Sequence, residues 1–174
     1  IRQRDISSRE AVVSCLQRIA AVNPVINAVV SVQEEQALAA ADAADRAVAA
    51  GAPLGLLHGV PITTKINVDQ QGLPTTNGVV AFADNVAPTD NPVVANLRRA
   101  GAVIIGRSNT PAFSMRWYTD NDLHGRTLTP WRAGRTPGGS SGGAAAAVAT
   151  GMCASGHGND GGGATRYPAY CTGT

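Results

Sequence analysis

The sequence has few aromatic residues, few cysteines and no long apolar run, and each of these shortages excludes a class of protein. Only 4% of the 174 residues are aromatic, and the three cysteines, Cys15, Cys153 and Cys171, form no Cys-x-x-Cys pair. An odd number of widely spaced cysteines argues against a disulfide framework, so we expect buried thiols. No stretch approaches the roughly 18 apolar residues of a membrane span, and residues 1–5 are too polar for a signal peptide. The sequence therefore predicts a cytoplasmic protein.

The net positive charge is small, and the basic residues are scattered along the chain. The 14 basic residues outnumber the 12 acidic ones by two, and they form no basic run. The sequence thus lacks the electrostatic signature of a protein that binds nucleic acid or a membrane surface. All of the basic residues except Lys65 are arginine. Because the chain uses arginine wherever it needs only positive charge, the single lysine stands out.

Helices and short apolar strands alternate along the chain, which predicts an α/β fold with a sheet covered on both faces. Lys65 is expected at the end of a buried strand, and residues 110–136 are expected to form a structured loop region. The first helix is predicted over about 8–22, because Ser7 and Glu10 have the spacing of a capping box and Asn23-Pro24 ends the pattern. Two more helices are predicted, over 33–50 and from Asp90 or Asn91 to Gly101. Strands are predicted over 60–64 and 102–105, with 26–32 as either a strand or an extended connector.

A glycine-rich loop delivers two serines to the start of a predicted helix. Residues 138–143 are Gly-Gly-Ser-Ser-Gly-Gly and run into the alanine-rich stretch 144–149. Free backbone N–H groups at such a helix start favour an anion or a developing oxyanion. Taken alone, the loop is better explained by a serine N-cap with flexible glycines, because serine is a preferred residue at that position.

Several common catalytic and binding motifs fail in this sequence. The loop lacks the lysine of a P-loop, and residues 139–143 match G-x-S-x-G without a preceding strand. Residues 156–161 match G-x-G-x-x-G, but more glycine follows instead of a helix. His58, His124 and His157 show no Ser-His-Asp arrangement, and there is no H-E-x-x-H motif or His/Cys cluster. We therefore expect neither a metal nor a cofactor.

Three sequence blocks, in order, resemble the amidase signature family. They are residues 59–65 (Gly-Val-Pro-Ile-Thr-Thr-Lys), residues 138–143, and residues 160–168 (Asp-Gly-Gly-Gly-Ala-Thr-Arg-Tyr-Pro). The stretches 101–106 and 129–131 are similar to the family as well. The resemblance implies an α/β/α sandwich around a mixed central sheet. Because family members are considerably longer, we expect residues 1–174 to be the N-terminal part of a single amidase signature domain whose C-terminal part is missing.

The resemblance also implies an amide hydrolase with a Ser–cis-Ser–Lys triad and an acyl-enzyme intermediate. Lys65 matches the base, and Ser140 matches the bridging serine that follows a cis peptide bond from Gly139. The nucleophile position is Ala164, where the family pattern D-x-G-G-S has serine. The attacking hydroxyl of the family is therefore absent from this sequence.

Residues around this triad take roles from the same resemblance. The backbone N–H groups of Gly161, Gly162, Gly163 and residue 164 match an oxyanion hole, and Ser141 is a second hydrogen-bonding residue of the serine loop. Asp160 and Arg166 are expected to hold the glycine turn through an ion pair, which is a structural role. Met115, Trp117 and Tyr118 resemble a segment that lines the acyl pocket and suits an apolar or aromatic acyl group.

The chemistry of amide cleavage explains why the site needs a lysine. A serine that attacks an amide must lose its proton, and lysine accepts that proton only if burial lowers its pKa towards neutrality. Arginine stays protonated and does not serve. The apolar residues 60–62 before Lys65 suit such burial. Ile66 stands where many relatives carry aspartate, so the surroundings of the base differ here.

Alanine at position 164 leaves three functional hypotheses. Retention of Lys65, Ser140 and the glycine-rich loops favours an amide hydrolase inactivated by a serine-to-alanine replacement, which traps its small-molecule amide substrate. The alternatives are a natural pseudoenzyme that only binds a ligand and an amidase-like subunit of a tRNA-dependent amidotransferase. The sequence does not distinguish an amide from an ester or a hydrazide, and a homodimer is implied only by the family.

Overall fold

A four-stranded mixed sheet lies between helices in the computed structural model, which describes all of residues 1–174. The strands are β1 (Val29–Val32), β2 (Pro61–Lys65), β3 (Val103–Ser108) and β4 (Ser155–Gly156), in the order β1-β3-β2-β4. β2 pairs in parallel with β3 and β4, and β1 pairs antiparallel with β3. The helices are α1 (Ser8–Ile26), α2 (Glu34–Ala49), α3 (Pro92–Arg99), α4 (Gly142–Ala149) and α5 (Arg166–Thr172).

Strand β3 contributes to an apolar core on each face of the sheet. Val103 and Ile105 pack in the larger core with side chains of α1, α2 and α4. Ile104, which points to the opposite face, packs in a smaller core with Val94 of α3. Because successive side chains of a strand alternate between the two faces, helices cover both sides of β3. The predicted α/β/α architecture with a mixed sheet is confirmed.

Helix caps form at the positions that the sequence predicts. Ser7 Oγ accepts the N–H of Glu10 at 3.0 Å, and the Glu10 carboxylate accepts the N–H of Ser7 at 2.7 Å. Asn91 caps α3 by accepting the N–H of Val93 at 3.0 Å. Each cap satisfies a backbone N–H that the first turn of a helix leaves free.

None of the five helices has both the length and the apolar character needed to cross a membrane.

The predicted end of α1 at Asn23-Pro24 is wrong. The helix continues through Pro24 to Ile26 and closes at Asn27, which adopts a left-handed conformation with φ 54°. Proline has no backbone N–H, so Pro24, which lies in the last turn of the helix, removes a single helical hydrogen bond. The Asn23 side chain offsets this loss, because its Oδ1 accepts the N–H groups of the two residues that follow Asn27, at 2.8 and 2.9 Å.

The sequence pattern predicts neither β4 nor α5, which have two and seven residues. Segments this short show no hydrophobic periodicity. β4 exists because the edge of β2 accepts it: the N–H of Ala154 donates to the Pro61 carbonyl at 3.1 Å, and the N–H of His157 donates to the Thr63 carbonyl at 2.8 Å. Residues 155–157 are thereby brought beside the end of β2.

Helix α4 approaches the end of β3 too closely for a side chain at Gly143. A Cβ at this position would lie 2.4 Å from the backbone N and 2.6 Å from the backbone O of Asn109. We expect Gly143→Ala to lower the free energy of unfolding by about 3 kcal/mol, because backbone atoms do not move aside as a flexible side chain does. Chemical denaturation measures this change. Gly161→Ala is the matched control, since its Cβ would meet nothing within 4 Å, and equal losses in the two variants would contradict the argument.

Candidate active site

Buried polar side chains meet where the serine loop reaches the ends of β2 and β3. Lys65 is the last residue of β2 and pairs with Ser108 of β3. Its side chain has no exposed surface, and Ser140 is only 2% exposed. Lys65 Nζ donates a hydrogen bond to Ser140 Oγ at 2.7 Å. The structure thus brings together the lysine of the first sequence block and the first serine of the second.

The ammonium group of Lys65 is surrounded by neutral acceptors. Besides Ser140 Oγ, Nζ contacts Ser141 Oγ at 3.2 Å and Asn159 Oδ1 at 2.7 Å. None of the three ion pairs in the structure includes Lys65. Burial without a carboxylate partner lowers the pKa of Lys65 from 10.5 to about 7. This lysine can therefore give up and take back a proton near neutral pH.

The serine loop is held against the segment between β3 and α4. The peptide bond between Gly139 and Ser140 is cis. Thr110 Oγ1 donates to the Ser140 carbonyl at 3.1 Å, and Thr119 Oγ1 donates to the Gly138 carbonyl at 2.9 Å. These buried threonines, which come from the predicted loop region, fix the position of Ser140 relative to Lys65.

The third sequence block forms a turn organised by Asp160. Its carboxylate accepts the N–H groups of Gly163, Thr165 and Arg166 at 2.6, 3.1 and 3.1 Å. The Arg166 guanidinium pairs with the same carboxylate, with Nε 3.1 Å from Oδ2. The hydrogen bonds from the Arg166 side chain, followed by those from the backbone, hold the pKa of Asp160 far below its ordinary value. Asp160 therefore remains an anion that ties the turn together.

Backbone N–H groups in this turn differ in availability. The N–H of Gly163 is used by Asp160, whereas those of Gly161, Gly162 and Ala164 donate no hydrogen bond to another protein group. A Cβ at Gly161 or Gly162 would meet nothing within 4 Å, so this part of the turn is open. Three of the four N–H groups that match an oxyanion hole are free to bind an oxygen.

An open pocket of about 560 Å³ lies in front of Ser140 and the glycine turn. Ala164 lines it and contributes only a methyl group. The carbonyl of Ala164 accepts the N–H of Ser141 at 3.0 Å, which ties position 164 to the serine loop. The lining consists of Ser114, Met115, Arg116, Trp117, Ser140, Asn159, Asp160, Gly161, Gly162 and Ala164.

Two of the three residues predicted to form an acyl pocket lie at this pocket. Met115 and Trp117 line it and are 80% and 70% exposed, and the Trp117 ring centroid lies 6.1 Å from that of Tyr167. Tyr118 lies elsewhere: it lines a separate cavity of about 410 Å³, and its hydroxyl accepts a hydrogen bond from Arg116. One face of the pocket in front of Ala164 is therefore apolar and aromatic.

Asn159 is a residue of this site that the sequence patterns do not predict. Its only signal is a carboxamide directly before Asp160 in a glycine-rich stretch. His157, considered as a rival base, lies nearby, but its Nδ1 accepts the backbone N–H of Lys65 at 3.4 Å and does not contact Ser140. Ile66, the departure beside the base, is a buried core residue.

Comparisons with known proteins find similar sequences along almost the whole chain. Residues 10–174 match the family model described as Amidase. The chain is 57% identical over 173 residues to the indoleacetamide hydrolase of Bradyrhizobium diazoefficiens, covering 99% of this chain and 33% of that protein. It is 43% identical over 173 residues to a glutamyl-tRNA(Gln) amidotransferase subunit from Acidothermus cellulolyticus, covering 99% of this chain and 34% of that protein.

A solved structure shows the same fold. The crystal structure of a bacterial aryl acylamidase, an amidase signature enzyme, superposes with a TM-score of 0.92 and 35% identity over 97% of this chain and 35% of that one. The chain thus spans about a third of the length of these three relatives. The matched region contains all three sequence blocks and the sheet that positions them. The chain belongs to the amidase signature family.

Proposed function

We propose that this chain carries the base and the bridging serine of an amide-hydrolase site, and that alanine at position 164 leaves the site able to bind an amide without cleaving it. The observation that carries the proposal is the contact of 2.7 Å between Lys65 Nζ and Ser140 Oγ beside a pocket that Ala164 lines. With a pKa of about 7, roughly half of Lys65 is neutral at pH 7.

A serine at position 164 would complete a proton relay. As its hydroxyl oxygen attacks the amide carbonyl, its proton passes to Ser140 Oγ while Ser140 gives its own proton to neutral Lys65. The tetrahedral intermediate then expels the amine, which receives a proton from Lys65 through Ser140. Water hydrolyses the resulting acyl-serine by the same relay. Lys65 lies on β2, Ser140 on the serine loop, and position 164 on the glycine turn, which the hydrogen bond from the Ser141 N–H to the Ala164 carbonyl ties to the serine loop.

The glycine turn supplies the electrostatic part of this mechanism. The free N–H groups of Gly161, Gly162 and Ala164 are suited to bind the oxyanion of the tetrahedral intermediate. The ion pair between Asp160 and Arg166 holds the turn and keeps these donors fixed before the reaction. Preorganised donors stabilise developing charge without reorganising as it forms.

Alanine at position 164 removes the attacking oxygen and changes little else. The base, the bridging serine, the N–H donors and the pocket do not depend on that hydroxyl for their positions: Asp160 and Ser141 hold the turn through backbone hydrogen bonds. Without the oxygen no acyl-enzyme forms. Amide binding is thereby separated from turnover.

A small aromatic amide is the substrate class that the pocket favours. Met115 and Trp117 give the pocket an apolar and aromatic face next to Ala164. Of the relatives named above, the one with the higher sequence identity is called an indoleacetamide hydrolase, and the solved structure is that of an aryl acylamidase. These observations favour an arylacetamide over the alternative of an amidotransferase subunit, which the 43% identical relative represents.

Ligand binding tests this proposal in the unchanged chain. We expect indole-3-acetamide to bind saturably, with a Kd of about 1 μM to 1 mM, and to release no ammonia. Trp117→Ala should weaken binding about tenfold through loss of aromatic contact area. Isothermal titration calorimetry and an ammonia assay measure the two properties. Trp131→Ala is the matched control, because Trp131 does not line the pocket, and equal affinities in the two variants would refute the assigned acyl site.

A further inference from the structure

The side chain of Lys65 has as many hydrogen-bond acceptors as its charged form has donors. The ammonium group carries three N–H bonds, and Nζ contacts Ser140 Oγ, Ser141 Oγ and Asn159 Oδ1. The neutral amine has only two N–H bonds and one lone pair. When Lys65 loses its proton, one of the three contacts must therefore reverse, and that neighbour must donate to the lone pair.

Asn159 determines which contact reverses. Its Oδ1 is a carbonyl oxygen with no hydrogen to donate, so it always accepts from Lys65. Ser141 can donate, but its Oγ already lies 3.4 Å from the backbone carbonyl of Asn159, to which it donates. Ser140 is the remaining hydroxyl, and it is the one that turns its hydrogen towards the lone pair of Lys65.

The geometry points to Asn159 as a positioning residue, which orients neutral Lys65 so that its lone pair faces Ser140. Asn159 Oδ1 accepts one N–H of the neutral amine. The Asn159 backbone carbonyl accepts the hydroxyl hydrogen of Ser141, so Ser141 Oγ accepts the other N–H of the amine. This inference rests on the proposed function, because it assigns a direction to the proton transfer between Ser140 and Lys65. Asn159 acts through Lys65 and takes no proton itself.

The absence of charge on Asn159 affects the pKa of Lys65 as much as its acceptor oxygen affects the orientation of the amine. A carboxylate 2.7 Å from Nζ would form a buried ion pair and hold Lys65 in its charged form. The titratable or charged side chains near the amine are His157, whose Nδ1 accepts the Lys65 backbone N–H, Arg116 and Asp160, which line the pocket beside Ser140, and Arg166, which is paired with Asp160. Arg107 pairs with Thr64 rather than Lys65 in the sheet, and its guanidinium donates to the Pro74 and Val68 carbonyls. None forms an ion pair with Lys65.

The test uses the fact that Lys65 is the only lysine of the chain. Labelling with ¹³Cε-lysine gives a single resonance, and its pH titration in the full chain reports the protonation of Lys65 directly. The unchanged chain should titrate with a midpoint of about 7. Asn159→Asp should move the midpoint up by about 1 to 3 pH units, because it adds an opposite charge. Asn159→Leu keeps the bulk that covers Lys65 but removes an acceptor of the ammonium, so the midpoint should move down.

Activity gives the second readout, in a chain that also carries Ala164→Ser. The Asn159→Asp variant should lose at least about tenfold in turnover at pH 7 and recover it as the pH rises through the new midpoint. A merely structural role would instead lower turnover by the same factor at every pH. Asn96→Asp, the same change on the exposed side of α3, is the matched control and should leave both readouts unchanged.

The outcomes separate the two proposals. Unchanged Lys65 midpoints in both Asn159 variants would overturn the role of Asn159. If Asn159→Asp does not fold, the downward shift in Asn159→Leu decides the question alone. Shifted midpoints in a chain whose Ala164→Ser form has no turnover would support the orientation of Lys65 and refute the proposed hydrolase function.

Discussion

Replacing Ala164 with serine is expected to raise the rate of amide hydrolysis by about four to six orders of magnitude, the scale on which loss of a catalytic serine acts in serine hydrolases. The physical reason is that the change adds one oxygen to a pocket beside which Lys65, Ser140 and the free N–H groups of the glycine turn already lie. Ammonia release from indole-3-acetamide measures the gain. With an aryl ester as substrate, a burst of product followed by a slower phase would reveal the acyl-enzyme.

A matched variant shows whether the gain in hydrolysis rate depends on a serine at position 164. Ala145→Ser places a serine on α4, outside the pocket, and should leave the rate at that of the unchanged chain. Turnover in that variant would mean that the activity is not that of this site. If Ala164→Ser binds the amide but never cleaves it, the chain is better described as a ligand-binding protein or as a subunit that needs its partner.

Substitution of Lys65 has the second largest expected effect. In the Ala164→Ser background, Lys65→Met should lower turnover by about two to four orders of magnitude, which is the usual contribution of a general base. Lys65→Arg should fail to a similar extent, because arginine keeps the positive charge but stays protonated. Arg9→Met, at an exposed ion pair with Asp42, is the control for loss of a positive charge and should retain full turnover.

The pH dependence of turnover follows from the protonation of Lys65. Below pH 7 the ammonium form predominates and cannot accept a proton, so the rate should rise about tenfold per pH unit and level off above the pKa of about 7. The pH–rate profile of the Ala164→Ser chain measures this. A rate that does not change between about pH 5 and 9 would exclude Lys65 as the base.

Loss of activity in Lys65→Met is not expected to come from unfolding. The pKa of Lys65 is lowered on folding, so between about 7 and 10.5 the unfolded chain binds more protons than the folded one. Stability therefore rises with pH across this window, and burial of the charged lysine costs stability below it. Methionine removes that cost, on the order of a few kcal/mol. Methionine also leaves Ser140 Oγ, Ser141 Oγ and Asn159 Oδ1 without the donor they share, which offsets part of that gain. Chemical denaturation at pH 6 should still show the methionine variant unfolding in one cooperative transition.

Sequence-based predictions succeeded where one local interaction decides the structure. The capping box at Ser7 and Glu10 and the cap at Asn91 act within a single helical turn, and both are present. The predicted end of α1 is wrong because local rules place Pro24 at a boundary, whereas Asn23 stabilises the turn that carries the helix on to β1. Strand β4 has too few residues for a pattern and forms only through pairing with β2.

By itself, the sequence determined which chemical groups are available and in what order: one lysine after a short strand, two serines in a glycine loop, and an alanine before the Thr-Arg pair at 165–166. Only the tertiary structure decided which neutral acceptors surround the buried Lys65, and that Asn159 is one of them. Ser140 and Asn159 stand 75 and 94 positions after Lys65 in the chain. A pKa depends on what surrounds a group in space, so it is the folded structure, through burial, that lowers the pKa of this lysine to about 7.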